Sequence, residues 1–226
     1  TYTLTYTVSD TAGNESNVTR IVNVVEEPQA STHTVDLNSS VSLEMIWVEP
    51  GTFLMGSPDD EEWRIAEDGF EVQHEVVLTK GFYLGKFEVT QAQYEAVMAG
   101  VSGDLDATPS YRNGAPNLPV ERVSYDDIQT FLERLNSKAF YSIPEGWAYV
   151  LPTEAQWEYA CRARTTTAYS LGDSYSPGSI NTHMLIGQTT EVGQYSANPW
   201  GFFDMQGNVS EWTADWFGPY SSGSKT

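Results

Sequence analysis

The sequence predicts an α+β fold of short helices, short strands and long ordered loops. Apolar residues alternate at period two only over brief stretches, as in half-buried strands. The middle of the chain carries helical segments that begin at Thr or Ser caps. The last part, from Arg164 onward, is studded with aromatics yet has no regular period, so it reads as loops. Long loops need something to hold them. The single cysteine, Cys161, rules out an internal disulfide. Buried tryptophans and a bound metal are the staples that remain.

The 226 residues suffice for one large domain, or for a domain with part of another. Acids outnumber bases 31 to 11, for a net charge of −20. That balance argues against nucleic-acid partners, which need basic patches, and against anionic membrane surfaces. It suits a salty or calcium-rich medium. No apolar run reaches the length of a membrane span, and no leader peptide is visible. The chain opens at Thr1 inside a strand-like pattern, so it reads as a piece of something longer.

Taken in order, Tyr2, Leu4, Tyr6 and Val8 alternate with Thr and predict a strand. Ser9 to Asn14 is a turn cluster, and Val18 to Val25 predicts a second strand. Two strands alone are marginally stable, so residues 1–27 are expected to be the C-terminal part of a larger β domain. Residues 28–40, rich in Ser, Thr and Asn, read as a linker with His33 solvated in it. The next domain, 41–226, opens with a strand at Leu43 to Val48, a turn at Pro50-Gly51 and a short strand at Phe53 to Gly56. Asp59 to Glu62 and Glu67-Asp68 form an acidic loop, solvated and without EF-hand spacing. His74 to Thr79 and Gly81 to Val89 predict two more strands, the latter with Phe82, Leu84 and Lys86 on one face.

Thr90 caps a helix over Gln91 to Ala99, and a loop follows over Gly100 to Leu118. Ser124 caps a helix over Tyr125 to Asn136. There Asp126 and Asp127 complement the helix dipole, and Ile128, Phe131, Leu132 and Leu135 form the apolar stripe. Thr153 to Gln156 is a capping box for a third helix, with Trp157, Ala160 and Cys161 on one face. The whole domain is organised around NPWGFFDMQGNVSEWTADW, Asn198 to Trp216. It is expected to pack Trp200, Phe202, Phe203, Trp212, Trp216 and Phe217 around a Gly207-Asn208 turn that takes positive φ. Asp204 and Glu211 flank that turn. Carboxylate and carbonyl oxygens are what Ca²⁺ takes. Two readings stand at this point: a calcium site, or a turn in an aromatic core with solvated acids.

Several ordered phrases carry a resemblance: MIWVEPGTFLMGS (Met45 to Ser57), GFYLGKFEVTQAQYEAVM (Gly81 to Met98), PVERVSYDD (Pro119 to Asp127), LPTEAQWEYACRA (Leu151 to Ala163) and the Asn198 to Trp216 stretch. From about Val41 onward the chain resembles the formylglycine-generating enzyme family, or sulfatase-modifying factor domain. YTLTYTVSDTAGNES, ahead of it, resembles the last hairpin of bacterial immunoglobulin-like repeats. The first resemblance implies a loop-rich C-type-lectin-like fold with bound calcium. It places one Ca²⁺ on the side chains of Asp204 and Glu211 and the carbonyls of Gly207 and Val209. It places a second on the Asn181 side chain and the Thr182 carbonyl. The segment supplying that second site's other ligands is shortened here, with no acid between Thr182 and Glu191, and His183 reads as a surface residue.

Family enzymes use O₂ to oxidise a sulfatase cysteine, in a Cys-x-Pro-x-Arg-like motif, to formylglycine. They hold Cu(I) on a cysteine pair that follows an Arg-Gly-Gly-Ser-type strand. Neither is present before Thr226, and Cys161 lies where the family has a structural residue, so no catalytic residue is carried over. Val150 replaces a usual Arg, Gln156 a usual Glu, and Tyr125 a common Trp. The family's iron-dependent branch needs clustered histidines, and His33, His74 and His183 show no such spacing. Hydrolase motifs of the Gly-x-Ser-x-Gly and His-Glu-x-x-His types are missing. The resemblance therefore implies part of a secreted, periplasmic or cell-surface enzyme with a sulfatase-like protein substrate. The alternative is a non-catalytic, calcium-stabilised module that binds an extracellular protein or glycan.

Overall fold

A computed structural model describes residues 2–9, 15–22, 31–61, 64, 69–100, 105–176, 178–182 and 187–220. The chain divides into two compact units, Thr1–Ala30 and Ser31–Thr226. In the first, β1 (Tyr2–Ser9) pairs antiparallel with β2 (Glu15–Val22), Tyr2 opposite Val22 and Ser9 opposite Glu15. The second expected strand therefore begins earlier than Val18, and the residues of the expected turn from Asp10 to Asn14 lie outside the described residues.

The second unit has two small antiparallel sheets and three helices among the described residues. Its first element, β3 (Thr32–Asp36), lies inside the stretch read as a linker. Val35 sits opposite Leu43 of β4 (Ser42–Val48), and both are buried, as is Leu37. Few apolar residues suffice for a strand when each one points into the core. His33 is not solvated: its Nε2 lies 2.9 Å from the Tyr149 hydroxyl, and its ring tilts against Tyr83.

On the other side of β4 lies β7 (Phe82–Gly85), which completes the order β3-β4-β7. A separate pair joins β5 (Gly51–Met55) to β6 (His74–Leu78). The strand expected to run to Val89 stops at Gly85 because later backbone groups find partners in loops. The Lys86 carbonyl accepts from Phe203 N–H, and the Val89 carbonyl from Val120 N–H. Those departures bring the residues before the first helix to the C-terminal loop.

Helices α1 (Gln91–Met98), α2 (Tyr125–Lys138) and α3 (Glu154–Arg162) begin at the expected caps, each with a complete capping box. Gln156 serves the box of α3 as an acceptor for Thr153 N–H at 2.8 Å, so the substitution of the usual Glu leaves that bond intact. One core cluster gathers Val35, Leu37, Leu43, Tyr94, Met98, Phe131 and Leu135. Tyr94 and Phe131 stack there with centroids 5.4 Å apart. A second cluster joins Val48, Tyr159, Ala160, Phe202 and Met205, with Trp157, Cys161 and Trp200 packed against it. No helix among the described residues is long and apolar enough to cross a membrane.

The C-terminal aromatics divide. Trp200 and Phe202 pack as expected, and Phe203 stacks on Phe87. Trp216 and Phe217, expected in the core, are instead 98% and 85% exposed. Past Ser210 the chain runs over the N-terminal end of α3, where Ala214 N–H donates to the Pro152 carbonyl and Asp215 accepts from Glu154 N–H. Trp212 stays on the rim, edge-on to Tyr125, and its indole N–H donates to the Val123 carbonyl.

Candidate functional site

Asn198 opens the organising loop and ties it to α3. Its Oδ1 accepts from Trp200 and Phe202 N–H, and its Nδ2 donates to the carbonyls of Ala160 and Cys161. A single buried amide thus replaces a stretch of sheet ladder. Phe202 is consequently placed in the core, and the chain turns at Asp204.

Positive φ falls on Asp204 (59°) and Asn208 (66°) rather than on Gly207. Asn tolerates the left-handed region because its short amide finds local partners. Gly207 is required for another reason: a Cβ there would lie 2.2 Å from the Asn181 carbonyl oxygen. That close approach lets Asn208 N–H donate to the same oxygen at 2.7 Å.

Three carboxylates meet around this turn. Asp204 Oδ2 accepts from Gly193 N–H, while its Oδ1 is buried with no hydrogen-bond partner. Glu211 Oε1 accepts from the Trp157 indole N–H at 2.9 Å. The third is Glu88, buried at 6% exposure, which accepts from Asn208 Nδ2 at 2.6 Å and from Val209 N–H at 3.1 Å. Burial pushes the Glu88 carboxyl up to about 8, helped by the charges of Glu211 and Asp204 and opposed by its bonds to Val209 and Asn208. Asp204 is raised by burial, against the bond from Gly193. Glu211 is raised by the protein around its carboxyl and then by Asp204, against the bond from Trp157, although the residue as a whole is exposed. Among the described residues no Lys or Arg forms an ion pair with Glu88, Asp204 or Glu211.

This chemistry fits a hard divalent cation. An orphaned carboxylate oxygen is an unmet demand for a donor or a metal. Asp204, Asn181, Gly207 and Asn208 also line a cavity of about 20 Å³, room for one water-sized occupant, though Val209 and Glu211 do not line it. Among the described residues no three His, Cys, Asp or Glu side chains form a coordination group by themselves. Backbone carbonyls would have to complete a sphere of oxygens, as Ca²⁺ allows.

Of the residues expected at a second cation, Asn181 packs against the first turn. Its Nδ2 donates to the Gln188 carbonyl and to Asn208 Oδ1. The Thr182 hydroxyl is buried without a partner. His183 lies outside the described residues. Copper(I) does not fit the residues present. Cys161 is the sequence's one cysteine. Its thiol donates to the Met205 carbonyl, and burial pushes it up to about 12, so no thiolate is offered near neutral pH. His33 and His74 have separate partners, Tyr149 and the Val72 carbonyl.

Glu88 escaped the sequence reading, which placed it inside a strand. The signal was an acid between Phe87 and Val89, just ahead of the Thr90 cap, where a solvated face is not expected.

Residues 32–226 match the family described as the sulfatase-modifying factor enzyme 1-like domain. Over 117 residues the chain is 42% identical to the formylglycine-generating enzyme of Mycobacterium tuberculosis, covering 45% of this chain and 35% of that protein. Across 210 residues it is 30% identical to serine/threonine-protein kinase pkn1 of Chlamydia caviae, covering 86% of this chain and 32% of that one. The chain thus spans about a third of the length of each of these two relatives. Among solved structures, PvdO from Pseudomonas aeruginosa aligns with a TM-score of 0.65 and 29% identity, covering 83% of this chain and 76% of that one.

Proposed function

Because the chain belongs to the sulfatase-modifying factor enzyme 1-like domain family, we propose that it is the calcium-held scaffold of a formylglycine-generating-type protein. Its partner would be a protein substrate presenting a cysteine in a Cys-x-Pro-x-Arg-like motif, in a secreted, periplasmic or cell-surface setting. The scaffold would take the loop-rich C-type-lectin-like form, preceded by an immunoglobulin-like hairpin. The unpartnered Asp204 Oδ1 beside two further carboxylates carries the calcium part of this reading.

Asp204 and Glu211 would supply side-chain oxygens, and Gly207 and Val209 their carbonyls. The ion would neutralise charge that forms no ion pair among the described residues, and would lock a loop that has no sheet of its own. Asn181 and Thr182 border the same turn and are the candidates for a second ion. Copper-dependent oxidation needs a thiolate pair, which this sequence does not contain. Its own residues therefore hold and orient; they do not supply the soft-metal centre.

The test is a pair of thermal melts of the full chain, in calcium and in chelator, repeated for Asp204→Ala. Calcium is expected to raise Tm in the parent chain and not in the variant. Equal melting of the parent chain in both buffers would remove the calcium assignment. Binding of a Cys-x-Pro-x-Arg peptide, followed by fluorescence anisotropy, addresses the partner. No binding in calcium would turn the search to another extracellular protein or a glycan.

A further inference from the structure

We propose that Glu88 is a positioning residue for the cation turn: its two carboxylate oxygens hold the Asn208–Val209 peptide and the Asn208 side chain, and so fix the segment that links the two carbonyls, of Gly207 and Val209, offered to a hard divalent ion. This rests on the calcium reading above.

Glu88 is set by its neighbours in sequence. The Val89 carbonyl is bonded to Val120 N–H, and Thr90 caps α1, so the backbone on its C-terminal side is held. From there the side chain reaches 120 residues along the sequence to Asn208. Each of its oxygens takes a different donor of the turn: Oε1 takes Val209 N–H, and Oε2 takes Asn208 Nδ2. On the other flank, Asn208 N–H donates to the Asn181 carbonyl.

Peptide planarity turns these bonds into an orientation. In a trans peptide the N–H and C=O point in opposite directions. The Gly207 carbonyl shares a plane with Asn208 N–H, so it faces away from Asn181. The Asn208 carbonyl shares a plane with Val209 N–H, so it faces away from Glu88. Two successive peptide planes are therefore held from opposite flanks, across a residue in the left-handed region. Neither the Gly207 nor the Val209 carbonyl accepts a hydrogen bond from a described residue. Both remain free to ligate.

An ionised carboxylate, the form a neighbouring divalent ion favours, is the side chain this geometry needs. It offers two acceptors and no donor, whereas Gln would aim an N–H₂ at one of the two turn donors. Partners that orient the ligands of a metal typically change affinity about 10- to 100-fold when removed.

Trp157 gives the experiment its readout. Its indole N–H contacts Glu211, so an ion held there lies beside an excitable ring. The full chain is titrated with terbium, with tryptophan-sensitised emission recorded and calcium used as competitor. Emission lifetimes in H₂O and D₂O count the waters on the ion. Glu88→Gln is expected to weaken calcium competition about tenfold or more and to raise the number of bound waters, because a carbonyl that swings away is replaced by solvent. A purely structural role would lower stability in chelator and leave the water count unchanged. If Glu88→Gln does not fold, Glu88→Asp keeps the charge and shortens the reach, and the same two shifts are expected. No sensitised emission from the parent chain would sink the calcium reading itself. Emission from the parent chain, with affinity and water count unchanged in the variant, would overturn the role of Glu88 alone.

Discussion

Around α1 and α2, backbone groups are satisfied by helix ladders, and the ends are closed by capping boxes at Thr90 and Ser124. Tyr94, Met98, Phe131 and Leu135 then bury an apolar interface. From Asn198 to Glu211 there is no ladder. Asn198, Asn181 and Asn208 side chains do the backbone's bonding, and three carboxylates meet with no ion pair to a base among the described residues. The first region is held by burial, which does not depend on ions. The second is held by directional polar contacts around an unbalanced charge. A cation should therefore stabilise one region and leave the other indifferent.

Substitutions can break or sharpen that contrast. The largest effect is expected from Phe131→Ala, which empties the centre of the helical cluster and should cost about 3–5 kcal/mol. Denaturant titration should give the same loss in calcium and in chelator; a loss that depends on calcium would mean that the two regions are one cooperative unit. Gly207→Ala forces a methyl against the Asn181 carbonyl. It should cost about 1–3 kcal/mol as overpacking does, and more of that loss should appear in calcium, because the displaced turn carries the proposed ligands. An equal loss in both buffers would detach Gly207 from the ion. The smallest effect is expected from Ser124→Ala, which removes one N-cap at a cost of about 1 kcal/mol. It should shift melting by the same amount in either buffer.

What the sequence showed follows the same division. The caps at Thr90, Ser124 and Thr153 and the stripe through Phe131 and Leu135 were legible because their partners lie within a turn or two of the chain. Asp204 and Glu211 were read together because they flank the Gly207-Asn208 turn within eight positions of one another. Strand β3 was missed because its buried residues are few and spaced among polar ones. Trp216 and Phe217 were misplaced because composition speaks for burial, while only the path of the backbone decides which aromatics reach the core.

The sequence by itself determined the helices, their caps, the acidic turn and the family resemblance, since each rests on short-range order. The tertiary structure alone decided that Glu88 would face Asn208, and that Asn181 would close on Gly207. Those partners are 120 and 26 positions apart in the chain. No local pattern of residues announces which donor a buried carboxylate will meet once the loops have folded around it.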